Sequence, residues 1–67
     1  MTDIVIHYVS GKADHIYDLA GVRAAADELI LFHKDPDTGE IIKEYIRYAS
    51  IASYSVTHHV SIERRVS

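Results

Sequence analysis

Ala13-Asp14-His15-Ile16-Tyr17-Asp18-Leu19-Ala20-Gly21-Val22-Arg23-Ala24-Ala25-Ala26-Asp27 decides the fold class, because these residues support two incompatible readings. The three consecutive alanines favour helix, and Leu19, Val22, Ala26 and Leu29 fit an i, i+3, i+4 apolar stripe. Against a helix, Gly21 would sit inside it at a cost of about 1 kcal/mol relative to alanine, and Tyr17 and Val22 prefer strands. The preferred reading is a pair of short strands meeting near Asp27-Glu28. The chain is then all-β, a small antiparallel meander or partly open barrel of five to six short strands. The alternative is an α+β fold, with one helix within 13–33 packed on a three- to four-stranded antiparallel sheet.

The flanking segments read more clearly as strands. Ile4-Val5-Ile6-His7-Tyr8-Val9 is β-branched and aromatic and runs into Ser10-Gly11-Lys12, a strand followed by a tight turn. Glu28-Leu29-Ile30-Leu31-Phe32-His33 is apolar on both faces, as in a strand covered on each side. It meets Asp35-Pro36-Asp37-Thr38-Gly39, where Pro sets φ, Asp closes an Asx-turn and Gly supplies positive φ. Beyond this turn Glu40 to Arg47 is a strand with Ile42 and Ile46 on one side and Lys43, Tyr45 and Arg47 on the other. The last segment alternates best. Tyr54, Val56, His58, Val60 and Ile62 share one face, and Ser53, Ser55, Thr57, His59 and Ser61 form a wet one.

Sixty-seven residues make a single small domain (1–67). A chain this short buries only about 60% of the surface its unfolded form exposes. With no cysteine there are no disulfides and no thiolate zinc site to supplement so small a core. Self-association is the expected remedy, and a homo-oligomer fits the 48% of residues that are hydrophobic. Its expected interface is Val5 and Val9, with Ile30 and Phe32, the side chains that a lone sheet would leave against water. Residues 63–67, with Arg64-Arg65, are expected to be a mobile, solvated tail. Met1-Thr2-Asp3 begins no signal peptide, and the longest apolar run, Leu29 to Phe32, is far short of a membrane span. A cytoplasmic location with no membrane partner is the corresponding expectation.

The net charge of −3 is uneven, −5 over residues 1–40 and +2 over residues 41–67. That balance weighs against nucleic acid, whose binding is dominated by phosphate contacts, although a local basic patch can serve in an acidic protein.

No catalytic constellation stands out. Asp37-Thr38-Gly39 is the triplet of retroviral-type aspartic proteases, yet the polar Lys34-Asp35-Pro36 precedes it, so it reads as an exposed hairpin turn. Asp35, Asp37 and Gly39 are only a fragment of a calcium loop, without the later bidentate glutamate. His58-His59 point to opposite faces of a strand, and His7, His15 and His33 stand singly, so no metal site is expected within one chain. Cysteine nucleophiles, a G-x-S-x-G turn and a phosphate-binding glycine loop are all missing. The expectation is a protein without catalytic residues or cofactor.

Tyrosine is the enriched residue, five of six aromatics. Its apolar ring and polar tip suit interfaces and stacking alike. Lys43, Tyr45 and Arg47, together on one strand face, are the expected ligand-binding residues.

The succession of short strands, with Tyr48-Ala49-Ser50-Ile51 as a tight corner before a last alternating strand, resembles the SH3/Sm-like small barrels. The bacterial Sm-like RNA chaperones carry a Tyr-Lys-His-Ala-Ile-Ser run there and an N-terminal helix. This chain has Tyr48-Ala49 and Ser50-Ile51, and no preceding helix. The resemblance implies a ring of subunits joined edge to edge, but the RNA-contacting basic residues are unmatched. Together these readings point to a non-catalytic binding or interaction protein acting as a homo-oligomer, a type found among phage and mobile-element accessory factors. Two alternatives remain beside it: sequestration of a small anionic ligand such as a nucleotide at a subunit interface, and RNA binding on an Sm-like ring.

Overall fold

A computed structural model describes residues 1–59, which form six strands in two three-stranded antiparallel sheets. The strands are β1 (Thr2–Tyr8), β2 (Ala13–Leu19), β3 (Gly21–Ala24), β4 (Glu28–Lys34), β5 (Ile41–Arg47) and β6 (Ile51–His58). The first sheet has the order β2-β1-β6 and the second β3-β4-β5. A 3-10 turn over Tyr48–Ser50 joins β5 to β6, at the corner that the sequence placed there. The fold is all-β and meander-like, and the sheets do not close into a barrel. Val60, Ile62, Arg64-Arg65 and the 63–67 tail lie outside the described residues.

The contested stretch contains two strands and no helix. Its helix-like spacing has a structural cause. Thr2 pairs with Leu19 and Ile4 with Ile16, so Tyr17 and Asp18 together oppose Asp3 in a β-bulge. Asp18 takes the left-handed conformation there, φ 59°, and its N–H donates to Asp3 Oδ1 at 3.1 Å. Bulges sharpen strand twist, and β2 crosses to the second sheet through the single residue Ala20, whose N–H donates to the Phe32 carbonyl. The bulge sets Ile16 and Leu19 three residues apart on the core side, and the corner sets Leu19 and Val22 likewise. A strand with a bulge and a corner thus mimics the period of a helix.

Ile4, Ile6 and Leu19 from the first sheet meet Leu29 and Leu31 from the second, all at most 1% exposed. Tyr8, Ile16, Val22, Ile46, Tyr48, Ile51 and Val56 pack around them, partly buried. Burial of a side chain of this class contributes about 1.5–3 kcal/mol, so five of them make a slender core. Tyr48 ties the corner to the β3–β4 turn, its hydroxyl donating to the Ala25 carbonyl at 2.8 Å. Burial raises its pKa above the usual phenol value.

Both turns read from composition are formed. The Gly11 N–H donates to the Tyr8 carbonyl at φ 91°. In the β4–β5 loop Asp35 Oδ1 accepts from the N–H groups of Asp37 and Thr38, and Gly39 holds φ 75°. Asp37-Thr38-Gly39 is accordingly the tip of a hairpin. No helix among the described residues is long and apolar enough to cross a membrane.

Candidate binding face

In the second sheet, Glu28 lies opposite Arg47, Ile30 opposite Tyr45, Phe32 opposite Lys43 and Lys34 opposite Ile41, while Arg23 of β3 lies opposite Ile30. The ladder is regular, so the period of two places all of these on the side away from Leu29 and Leu31. Lys43, Tyr45 and Arg47 therefore share one surface with Ile30 and Phe32. The ligand-binding residues and half of the oligomer interface expected from sequence occupy a single face.

The charges on this face are sorted. Residues 1–59 contain five lysines and arginines, and four of them, Arg23, Lys34, Lys43 and Arg47, project from this sheet. Glu28 is the one acid beside them. None of the four cations forms an ion pair within 4 Å among the described residues. Between the charges stand Ile30 and Phe32, half-buried, and Tyr45, 55% exposed. The Lys43 ammonium lies 5.9 Å from the centre of the Phe32 ring, within cation–π reach.

The outward face of the first sheet is chemically different. Val5 lies between His15 and Ser55, and His7 between Ala13 and Ser53, with no lysine or arginine on any of the three strands. At its lower end Asp3 Oδ2 pairs with His59 Nε2 at 2.7 Å. The Asp18 N–H, then the His59 bond, hold the Asp3 carboxyl below the usual carboxylate range against the opposing effect of burial. Thr2, buried, shares a 3.2 Å hydrogen bond with His58 Nδ1. Val9 lies past the end of β1, 67% exposed in the turn. Val5 and Val9 thus share no surface with Ile30 and Phe32, because the two pairs belong to sheets facing opposite ways.

Two features were illegible in the sequence. The edge strands β5 and β6 are not bonded to one another, so the two layers stay open along that side. Ile42 and Tyr54, on the core-facing sides of their strands, are left 54% and 39% exposed there. His33 Nε2 and Glu44 Oε1 pair at 2.9 Å on the same core-facing side of the second sheet. The other feature is an open hollow of about 420 Å³ at the β2–β3 corner, lined by Met1, Asp18, Leu19, Ala20, Lys34 and Pro36. Its charged side chains are one acid, Asp18, and one base, Lys34, so it lacks the excess of cations found on the outer sheet face.

Comparison with protein families, with characterised proteins and with solved structures finds no match. Among the described residues no three histidine or acidic side chains converge as a metal site would require. Among the described residues the hydroxyl–imidazole pair of Thr2 and His58 places a nucleophile beside a base, but the threonine is buried where β1 pairs with β2.

Proposed function

We propose that the protein is a non-catalytic binding protein, working as a homo-oligomer, that presents the outer face of its second sheet to an anionic partner. The observation that carries this reading is the sorting of charge. An acidic chain places four of its five described cations on one sheet face, with Glu28 opposite Arg47 the one acid among them and none of the four in an ion pair among the described residues. Unpaired charge of one sign, gathered on a rigid sheet, attracts the opposite sign at long range even when the net charge opposes it. Lys43, Tyr45 and Arg47 form the exposed row of the site.

Retention on a heparin column at neutral pH tests this. A protein of formal net charge −3 should flow through unless a local patch holds it. Retention is expected, and the double variant K43E/R47E should abolish it while K12E, the same kind of change off the face, leaves part of it. Flow-through of the wild type in low salt would overturn the reading.

The oligomer is supported by the open side of the sandwich, where Ile42 and Tyr54 lack cover. Light scattering at micromolar concentration should give a mass above 7.6 kDa. A stable monomer at high concentration would remove this part of the proposal and leave the cationic face standing.

A further inference from the structure

We infer that the anionic partner of this face is single-stranded nucleic acid, its bases stacked on Tyr45 and Phe32 and its phosphates met by Arg23, Lys43 and Arg47 with Lys34 at the lower end. The inference rests on the proposed function and names the ligand class of the same site. It departs from the weight that whole-chain charge places against nucleic acid, because the charges are separated by face and phosphates meet only one face.

The first ground is the pairing of two aromatic rings with cations on adjacent strands. Tyr45 lies opposite Ile30 and Phe32 opposite Lys43, so the two rings are diagonal neighbours across β4 and β5. Such positions stand about 7–8 Å apart. That is about twice the roughly 3.4 Å that one strand of a duplex advances per nucleotide. A strand unstacked and drawn out to this spacing can set one base on each ring, whereas a duplex keeps its bases stacked inside. A ligand of phosphates alone would make no use of either ring.

The second ground is that both rings can be reached. Tyr45 is more than half exposed. Lys43 hangs over Phe32, and an exposed cation–π contact is weaker than the stacking of a base on an aromatic ring. An arriving base therefore displaces the ammonium, which is then released to pair with a phosphate. Gly21, opposite Phe32 on β3, has no side chain to overhang the ring from its other side.

The test is fluorescence anisotropy with labelled oligouridylate and oligodeoxythymidylate of about a dozen nucleotides, within the roughly 4–16 that one small β domain covers. Each phosphate contact on a single strand contributes about −0.7 to the log–log salt slope, so four predict about −2.8, a loss near 50-fold between about 50 and 200 mM salt. R47A should lower the slope by about 0.7, and K12A should leave it unchanged. Y45A should weaken binding by about 5- to 150-fold at unchanged slope, the effect of one lost stack, and Y45F should restore it. The far-UV circular dichroism of each variant shows whether it keeps the β fold.

Tighter binding to the matching duplex, or to inorganic polyphosphate with indifference to Y45A, would overturn the inference while leaving the anion-binding face intact. Saturation by one equivalent of a mononucleotide with no gain from a longer strand would do the same. If Y45A lowers the mass of the oligomer, a second copy of the chain occupies the face, and the inference is likewise overturned. If heparin, polyphosphate and oligonucleotides all fail to bind, the proposed function falls as well.

Discussion

The two sheets are built alike and finished differently. Each has three antiparallel strands, and each turns fully buried aliphatic side chains toward the other, Ile4, Ile6 and Leu19 from one and Leu29 and Leu31 from the other. Outward, the first sheet shows serine, threonine and histidine around Val5, and the second shows Ile30, Phe32 and Tyr45 among four cations. A solvated face needs only to be polar. The outer face of the second sheet is half apolar and carries four cations against the single acid Glu28, so like charges repel there while its large side chains stay partly in water. That composition is the ground of the anionic partner proposed above.

The sharpest way to break the comparison is at the inner layer. Ile6→Ala and Leu31→Ala should each cost about 2–5 kcal/mol in urea unfolding, because each empties a fully buried position. Equal losses are expected if the sheets share one core. A loss below about 1 kcal/mol in one sheet only, well under the usual range for such truncations, would show that the layers are stabilised separately.

Next in size is the corner that holds the layers together. Tyr48→Phe keeps the ring and removes the bond to the Ala25 carbonyl, and should cost about 1–2 kcal/mol as that acceptor loses its partner. Hydrogen exchange should quicken first in the β3–β4 turn. Uniform quickening across both sheets would instead mean that Tyr48 acts through the core.

At the outer layer the expected stability effects are small and opposite changes can be compared directly. Lys43→Ser and Ser55→Lys should each alter stability by less than about 0.5 kcal/mol, as surface substitutions away from special features do. Heparin retention should fall for the first and change little for the second. If Ser55→Lys makes up for the loss in the double variant, the position of the charge does not matter and the sorted face has no special role.

The smallest effect is that of pH on Asp3, at the end of the first sheet. The Asp3 pKa is lowered in the folded protein, so its contribution is fully present above the unfolded value near 3.9 and is lost as pH falls through the lower folded value. Asp3→Asn should therefore flatten the acid limb of the stability profile below about pH 4. If Glu44→Gln flattens it equally, the acid limb does not belong to the first sheet.

The alternation of Ile41–Arg47 and Ile51–His58, the Asp35–Gly39 turn and the corner at Tyr48 were legible because each depends on neighbours in the chain. So was the grouping of Lys43, Tyr45 and Arg47, which needs only a period of two. The stretch from Ala13 to Asp27 was ambiguous for a definite reason. Its bulge at Asp18 and its crossing at Ala20 each insert one residue into the alternation, and the resulting spacing of three is also that of a helix. The expectation of an interface through Val5, Val9, Ile30 and Phe32 follows from each strand taken separately, and nothing local says that two strands face opposite ways.

By itself the sequence determined the strand content, the turns and the side of each strand on which a residue lies, since these follow from backbone sterics and a period of two. Tertiary structure alone decided which strands are neighbours. Arg23, Lys34, Lys43 and Arg47 come from three strands separated by a turn and a six-residue loop, and only the β3-β4-β5 ladder gathers them around Phe32 and Tyr45. Likewise the exposure of Ile42 and Tyr54 depends on β5 and β6 lying unpaired at the edges of two layers. Pairing between distant segments is set by which combination of faces buries the most apolar surface at once, and that is a property of the whole chain.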